Sequence, residues 1–158
     1  MRKFLGDGML YVWEDNDGKI FTKTNFKVAL LNRFWNLQCF FHKINKHLYE
    51  DIPIGDLPKS LKIGVAQGTI YRLNESADSH DYIGPCINLA SRLVKYCPEI
   101  NFIYSARLDI KKEDIEENKY LKIIALELRS FENEIVLIDQ DDYSKVSDAD
   151  KKRLFKEI

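Results

Sequence analysis

Phe26, Leu30, Phe34, Leu37, Phe41, Ile44 and Leu48 recur at spacings of three and four, which is one apolar face of a long helix over about residues 23–49. Ahead of it, Lys3–Leu5 and Met9–Trp13 are short apolar runs joined by Gly6-Asp7-Gly8. Asp-Gly between two such runs predicts a hairpin. Asp15-Asn16-Asp17-Gly18 reads as a turn, and 51–60, with two prolines and a glycine, as a loop. "LKIGVAQGTIYRL", Leu61–Leu73, predicts a strand that bends at Gly64 and Gly68, or two strands. The polar run Asn74–His80 predicts a hairpin tip, and Asp81–Pro85 a short extended piece.

Ile87, Ala90, Leu93 and Val94 fall on one side of a predicted helix over Ile87–Tyr96. "NFIYSA" has the aromatic and β-branched content of a buried strand. Lys111–Asn118 predicts an exposed helical turn, and "LKIIALEL" with "EIVLID" a closing strand pair. Ser147, three residues before Asp150 and followed by Leu154 and Phe155, predicts a weak C-terminal helix. The order is β-β-α-β-β-α-β-α-β-β, an α+β chain. It is similar to a split βαβ, ferredoxin-like core that starts at its second strand.

The length of 158 residues suits one domain with a real core. We expect it over 1–140, with 141–158 as a tail that carries the C-terminal helix. The net charge of −1 gives no basic footprint for nucleic acid, so no nucleic-acid partner is expected. No apolar run approaches the ~20 residues that span a bilayer, so no membrane segment is expected. Cys39, Cys86 and Cys97 show no metal-type spacing and read as reduced thiols of a cytoplasmic protein. His42 and His47 read as surface groups, and His80 could line a pocket mouth.

Three stretches carry candidate chemistry: Lys3-Phe-Leu-Gly6-Asp7-Gly8, Lys62-Ile-Gly64-Val-Ala-Gln-Gly68, and Asp81-Tyr-Ile-Gly84-Pro-Cys-Ile-Asn88-Leu-Ala-Ser-Arg92-Leu93. Asn88 and Arg92 are four apart and share a helix face. Each residue also has a plainer reading. Asp7 completes an Asp-Gly turn, Asn88 caps a helix, Arg92 is a solvated helix residue, and Lys3 is a strand-end lysine.

In this order the three stretches resemble the class III adenylate/guanylate cyclase catalytic domain, over about residues 1–140. The resemblance implies a nucleotide cyclase that converts a nucleoside triphosphate, ATP in the first reading, to its 3′,5′-cyclic monophosphate and pyrophosphate for intracellular signalling. It implies Mg²⁺ or Mn²⁺, two ions in the intact family site, with Asp7 as one metal ligand. By their match to family positions, Lys3 and Asp81 would read the base, Asn88 would position the ribose, and Arg92 would meet phosphate charge in the transition state. A lysine only donates and an ionised aspartate only accepts, so that pair suits a ring-nitrogen acceptor beside an exocyclic amine. Adenine and cytosine have that edge, whereas guanine and uracil have the opposite polarity. It also implies a homodimer with shared active sites. A pyrimidine (CTP/UTP) cyclase of antiphage type stays open, as does a non-catalytic cyclase-like binding module.

The sequence departs from the family pattern at its start. The family's first metal aspartate lies on a strand ahead of the position of Met1. We therefore expect an N-terminally truncated cyclase fold, and a chain that alone has little or no cyclase activity. Near the end, Phe131 stands, in an uncertain register, where some members carry a triphosphate lysine, with Arg129 close by.

Overall fold

The computed structural model describes residues 2–5, 8–15, 24–51, 58, 60–73, 81–110 and 119–158. Strands β1 (Arg2–Leu5) and β2 (Gly8–Tyr11) are followed by helix α1 (Thr24–Asp51). Next come β3 (Ile63–Val65), β4 (Tyr71–Arg72), β5 (Tyr82–Ile83), helix α2 (Pro85–Val94) and β6 (Phe102–Ser105). The chain closes through β7 (Tyr120–Ala125), β8 (Glu134–Asp139), helices α3 (Gln140–Lys145) and α4 (Asp148–Leu154), and β9 (Phe155–Lys156). This is an α+β architecture. Its main sheet is mixed, in the order β3-β6-β8-β7-β9. β3 and β6 run parallel, and the other neighbours are antiparallel.

Alternation along the central strands sorts the core into two layers. On β6, Phe102 and Tyr104 face one side and Ile103 the other. On β8, Leu137 opposes Val136 and Ile138 in the same way. A period of two is what a pleated strand imposes. The Phe102 side is covered by α1 through Leu31, Val28 and Phe34. The Ile103 side is covered by Leu89 and Leu93 of α2, with Val146, Leu154 and Phe155 from the C-terminal segment. Residues 141–158 thus contribute to the core, and β9 pairs with β7 at Ile124↔Lys156 and Ala125↔Phe155.

The predicted α1 stripe is rotated in the structure. Leu37 is 47% exposed and Ile44 39%, while Leu31, Lys27 and Asn45 are buried. Polar groups fix this orientation: Gln38 Nε2 donates to the Leu61 carbonyl at 3.1 Å, and Asn45 Nδ2 donates to the Pro58 carbonyl. The run 61–73 divides into β3 and β4, which enter different sheets. β1 pairs with β2 alone, from Arg2↔Tyr11 to Leu5↔Gly8, as a separate two-stranded sheet among the described residues. The helical turn predicted over 111–118, the hairpin tip at 74–80 and the turn at 15–18 beyond Asp15 lie outside the described residues.

The glycines of the second and third stretches let α2 lie close to its neighbours. A Cβ on Gly64 would sit less than 3.0 Å from the Ala90 carbonyl oxygen and 2.8 Å from Val94 Cγ2. A Cβ on Gly84 would press on the Thr69 carbonyl and lie 3.0 Å from Ile70 Cα. Backbone atoms cannot move aside cheaply, so Gly64→Ala should cost about 1–3 kcal/mol by overpacking. Chemical denaturation checks this: a lower midpoint at unchanged slope is expected, and an unchanged midpoint would show that α2 can shift freely.

Candidate functional site

α2 starts at Pro85, where a fixed φ and a missing N–H suit the first turn. Asn88 lies in that turn, exposed, with its backbone N–H donating to the Gly84 carbonyl at 3.3 Å. Arg92 lies one turn further on and is half-buried. Its guanidinium sits over the Phe131 ring, 5.5 Å from the centroid, and its Nη1 is buried with no hydrogen-bond partner among the described residues. Asp81 is half-buried just before β5, and its carbonyl accepts the Leu73 N–H at 2.8 Å to close the β4–β5 hairpin. One continuous stretch of hairpin and helix therefore presents Asp81, Asn88 and Arg92.

The structure gives less for the first stretch. Lys3 occupies β1 opposite Leu10, and its side chain lies outside the described residues. Asp7 and His80 also lie outside them. Among the described residues, no group of three or more His, Cys, Asp or Glu side chains gathers as a metal site.

Glu14, which the sequence reading passed over, links the chain just after β2 to the hairpin that carries Asp81. Arg72 Nη2 donates to both Glu14 oxygens, at 3.1 and 2.9 Å, and the Tyr82 hydroxyl donates to Glu14 Oε1. The hydrogen bond to Glu14 is the main cause that raises the proton affinity of both Arg72 and Tyr82. Nothing in the sequence marks Glu14, because a single acid after a strand reads as surface.

A second cluster supports Phe131 from behind. Arg107 lies over the same ring at 5.7 Å, so two guanidinium groups contact one phenyl group. Arg107 also forks onto Glu134, with Nε to Oε1 at 2.9 Å and Nη2 to Oε2 at 2.7 Å. The Ser105 hydroxyl donates to Glu134 Oε1 at 2.6 Å. Glu134 is the main cause that raises the Arg107 pKa. The connection between β7 and β8 that carries Phe131 holds Glu127, Ser130 and Asn133 at φ of 54°, 65° and 56°. Left-handed backbone at Glu and Ser is uncommon and costs free energy, so the shape of this connection is held by its packing.

The thiols take packing roles. Cys86 packs against Gly68 and donates to the Thr69 carbonyl at 3.5 Å, and burial pushes its pKa up. Cys97 is 2% exposed and donates to Glu99, and burial pushes its thiol up to about 11. His42 and His47 are exposed.

Comparisons with known protein families, with curated proteins and with solved structures returned no match. Among the described residues, no helix is long and apolar enough to cross a membrane.

Proposed function

We propose that this chain is a class III nucleotide cyclase catalytic domain, ferredoxin-like in its core, that acts on ATP as part of a homodimer. The observation that carries the reading is Arg92. It occupies the arginine position of the Asp-x-x-Gly-x-x-x-Asn-x-Ala-x-Arg stretch, and no group among the described residues satisfies its buried Nη1. A buried donor without an acceptor is costly unless something else supplies one. A phosphate oxygen would be such an acceptor, through a strong charge-assisted bond, once the guanidinium leaves its place over the Phe131 ring.

In this reading Asp81 accepts from the exocyclic amine of the base and Lys3 donates to the ring nitrogen. Asn88 orients the ribose, and Arg92 meets the charge that develops at phosphorus. Asp7 would hold Mg²⁺ or Mn²⁺, hard cations that prefer carboxylate oxygen. When bound, such ions neutralise triphosphate charge and activate the attacking hydroxyl. The edge polarity of Lys3 with Asp81 keeps CTP as the second reading, because cytosine repeats the adenine pattern.

The test is a four-way competition among ATP, CTP, GTP and UTP with Mn²⁺, reading cyclic product. It is run on this chain and on a longer one carrying a preceding strand. Two mismatched polar contacts, at ~1–3 kcal/mol each, should favour ATP or CTP by roughly thirty- to twenty-thousand-fold. Preference for GTP or UTP would remove Lys3 and Asp81 from base reading. No cyclic product from either chain would end the cyclase reading.

A further inference from the structure

We propose that Glu14 is a positioning residue for base choice. It holds the β1–β2 hairpin, which carries Lys3, against the β4–β5 hairpin, beside which Asp81 stands, and so sets the spacing of that pair. The inference rests on the cyclase reading, in which Lys3 and Asp81 face one base edge. The need for such a tie follows from the topology. β1–β2 and β4–β5 are separate two-stranded sheets, and neither pairs with the five-stranded sheet among the described residues. A hairpin alone is marginal, and β4 and β5 have two residues each. Two groups that meet one base from two such hairpins are only as well placed as the contact that joins the hairpins.

Glu14 grips both strands of the second hairpin at one rung. Arg72 and Tyr82 are cross-strand partners. The Glu14 carboxylate accepts from Arg72 Nη2 at 3.1 and 2.9 Å and from the Tyr82 hydroxyl. The Arg72 guanidinium also lies over the Tyr82 ring, 5.8 Å from its centroid. The neighbouring rung is the one that carries Asp81, whose carbonyl accepts the Leu73 N–H at 2.8 Å. On its own side Glu14 stands on fixed backbone. Val12 is 8% exposed, and Trp13 stacks on Tyr11 and meets Phe34 of α1 edge-on. The plainer role is a surface ion pair, since the two side chains are 26% and 43% exposed. Such pairs contribute little to folding. A small displacement of a recognising group costs far more in discrimination, so the effect of Glu14 should fall on base choice and not on stability.

The test uses whichever chain of the four-way competition makes cyclic product. Glu14→Gln should lower its preference for ATP over GTP about ten- to a hundredfold, mostly through a higher KM for ATP. Glu50→Gln removes the same charge from the exposed surface of α1 and should change the preference less than twofold. Tyr82→Phe removes one donor and leaves the ion pair, so it should lower the preference by a smaller factor. Glu14→Arg combined with Arg72→Glu rebuilds the tie with its charges exchanged, the Tyr82 hydroxyl then accepting, and should recover part of the loss. An unchanged ATP-to-GTP ratio in Glu14→Gln would overturn the proposal and leave the cyclase reading standing. Equal falls in ATP and GTP turnover would do the same, because they mark a residue of the fold. If Glu14→Gln melts far below its parent, Tyr82→Phe decides, and no loss of preference there would overturn the proposal. A parent that prefers GTP takes Lys3, Asp81 and Glu14 out of base choice together, and no product from either parent ends both readings.

Discussion

Arg92→Ala should lower kcat about 10²–10³-fold in any preparation of this domain that makes cyclic nucleotide, with KM changed only a few-fold. A donor aimed at charge that develops in the transition state has an effect of this size. It acts on turnover more than on ground-state binding. The fold should hardly register the change. Arg92 Nη1 has no acceptor to lose among the described residues, and the contact of its guanidinium with the Phe131 ring is worth about 0.5–1 kcal/mol. Steady-state kinetics beside a thermal melt separates the alternatives. An effect confined to KM, or a collapse of the melting temperature with kcat intact, would make Arg92 a binding or structural residue. Arg92→Lys keeps the charge but loses the planar fork, so it should restore part of the rate.

Arg107→Ala should be the more damaging change for stability, by about 2–3 kcal/mol. The two partners of the Arg107–Glu134 pair are unequal. The arginine side chain is 51% exposed and the glutamate 7%. Removing arginine strands a buried carboxylate, which is the expensive way to break such a pair. The partial exposure of Arg107 puts the cost at the low end for buried pairs. For a domain of this size each kcal/mol moves the melting temperature by about 2–4 °C, so a fall of roughly 5–10 °C is expected. The double variant Arg107→Ala/Glu134→Gln removes the stranded charge and should recover part of the loss. A double variant no better than the single one would mean that the bond from Ser105, and not the ion pair, holds this corner.

Elements with a strong repeat were legible in the sequence. The α1 heptad-like spacing gave a helix that the structure places at Thr24–Asp51, and "NFIYSA" and "EIVLID" became β6 and β8. The face of α1 was less legible. Periodicity counts apolar residues, whereas Gln38 and Asn45 turn the helix through hydrogen bonds to carbonyls 23 and 13 residues away in sequence. α3 had a readable cap, since Asp139 accepts from the Asp141 and Asp142 N–H groups, but the apolar run ending in Asp139 hid it. β9 has two residues and exists because β7 offers it an edge. Of the candidate site, the α2 pair Asn88 and Arg92 could be placed from spacing alone. The Arg92–Phe131–Arg107 stack could not, because it joins a helix, a strand connection and a 3-10 turn far apart in the chain.

The pairing of β9 with β7 makes a two-residue strand the cover of a sheet edge. Leu154 and Phe155 complete the core face of the sheet, and the Leu154 carbonyl accepts both the Leu126 N–H and the Tyr96 hydroxyl. Without those residues β7 is unpaired on that side at Ile124 and Ala125, and the core layer under α2 loses part of its cover. An unpaired strand edge beside exposed apolar surface is a template for pairing with another chain. Local opening of β9 alone would therefore turn the folded domain into a species that associates with its own copies, while everything from β3 to α3 stays in place.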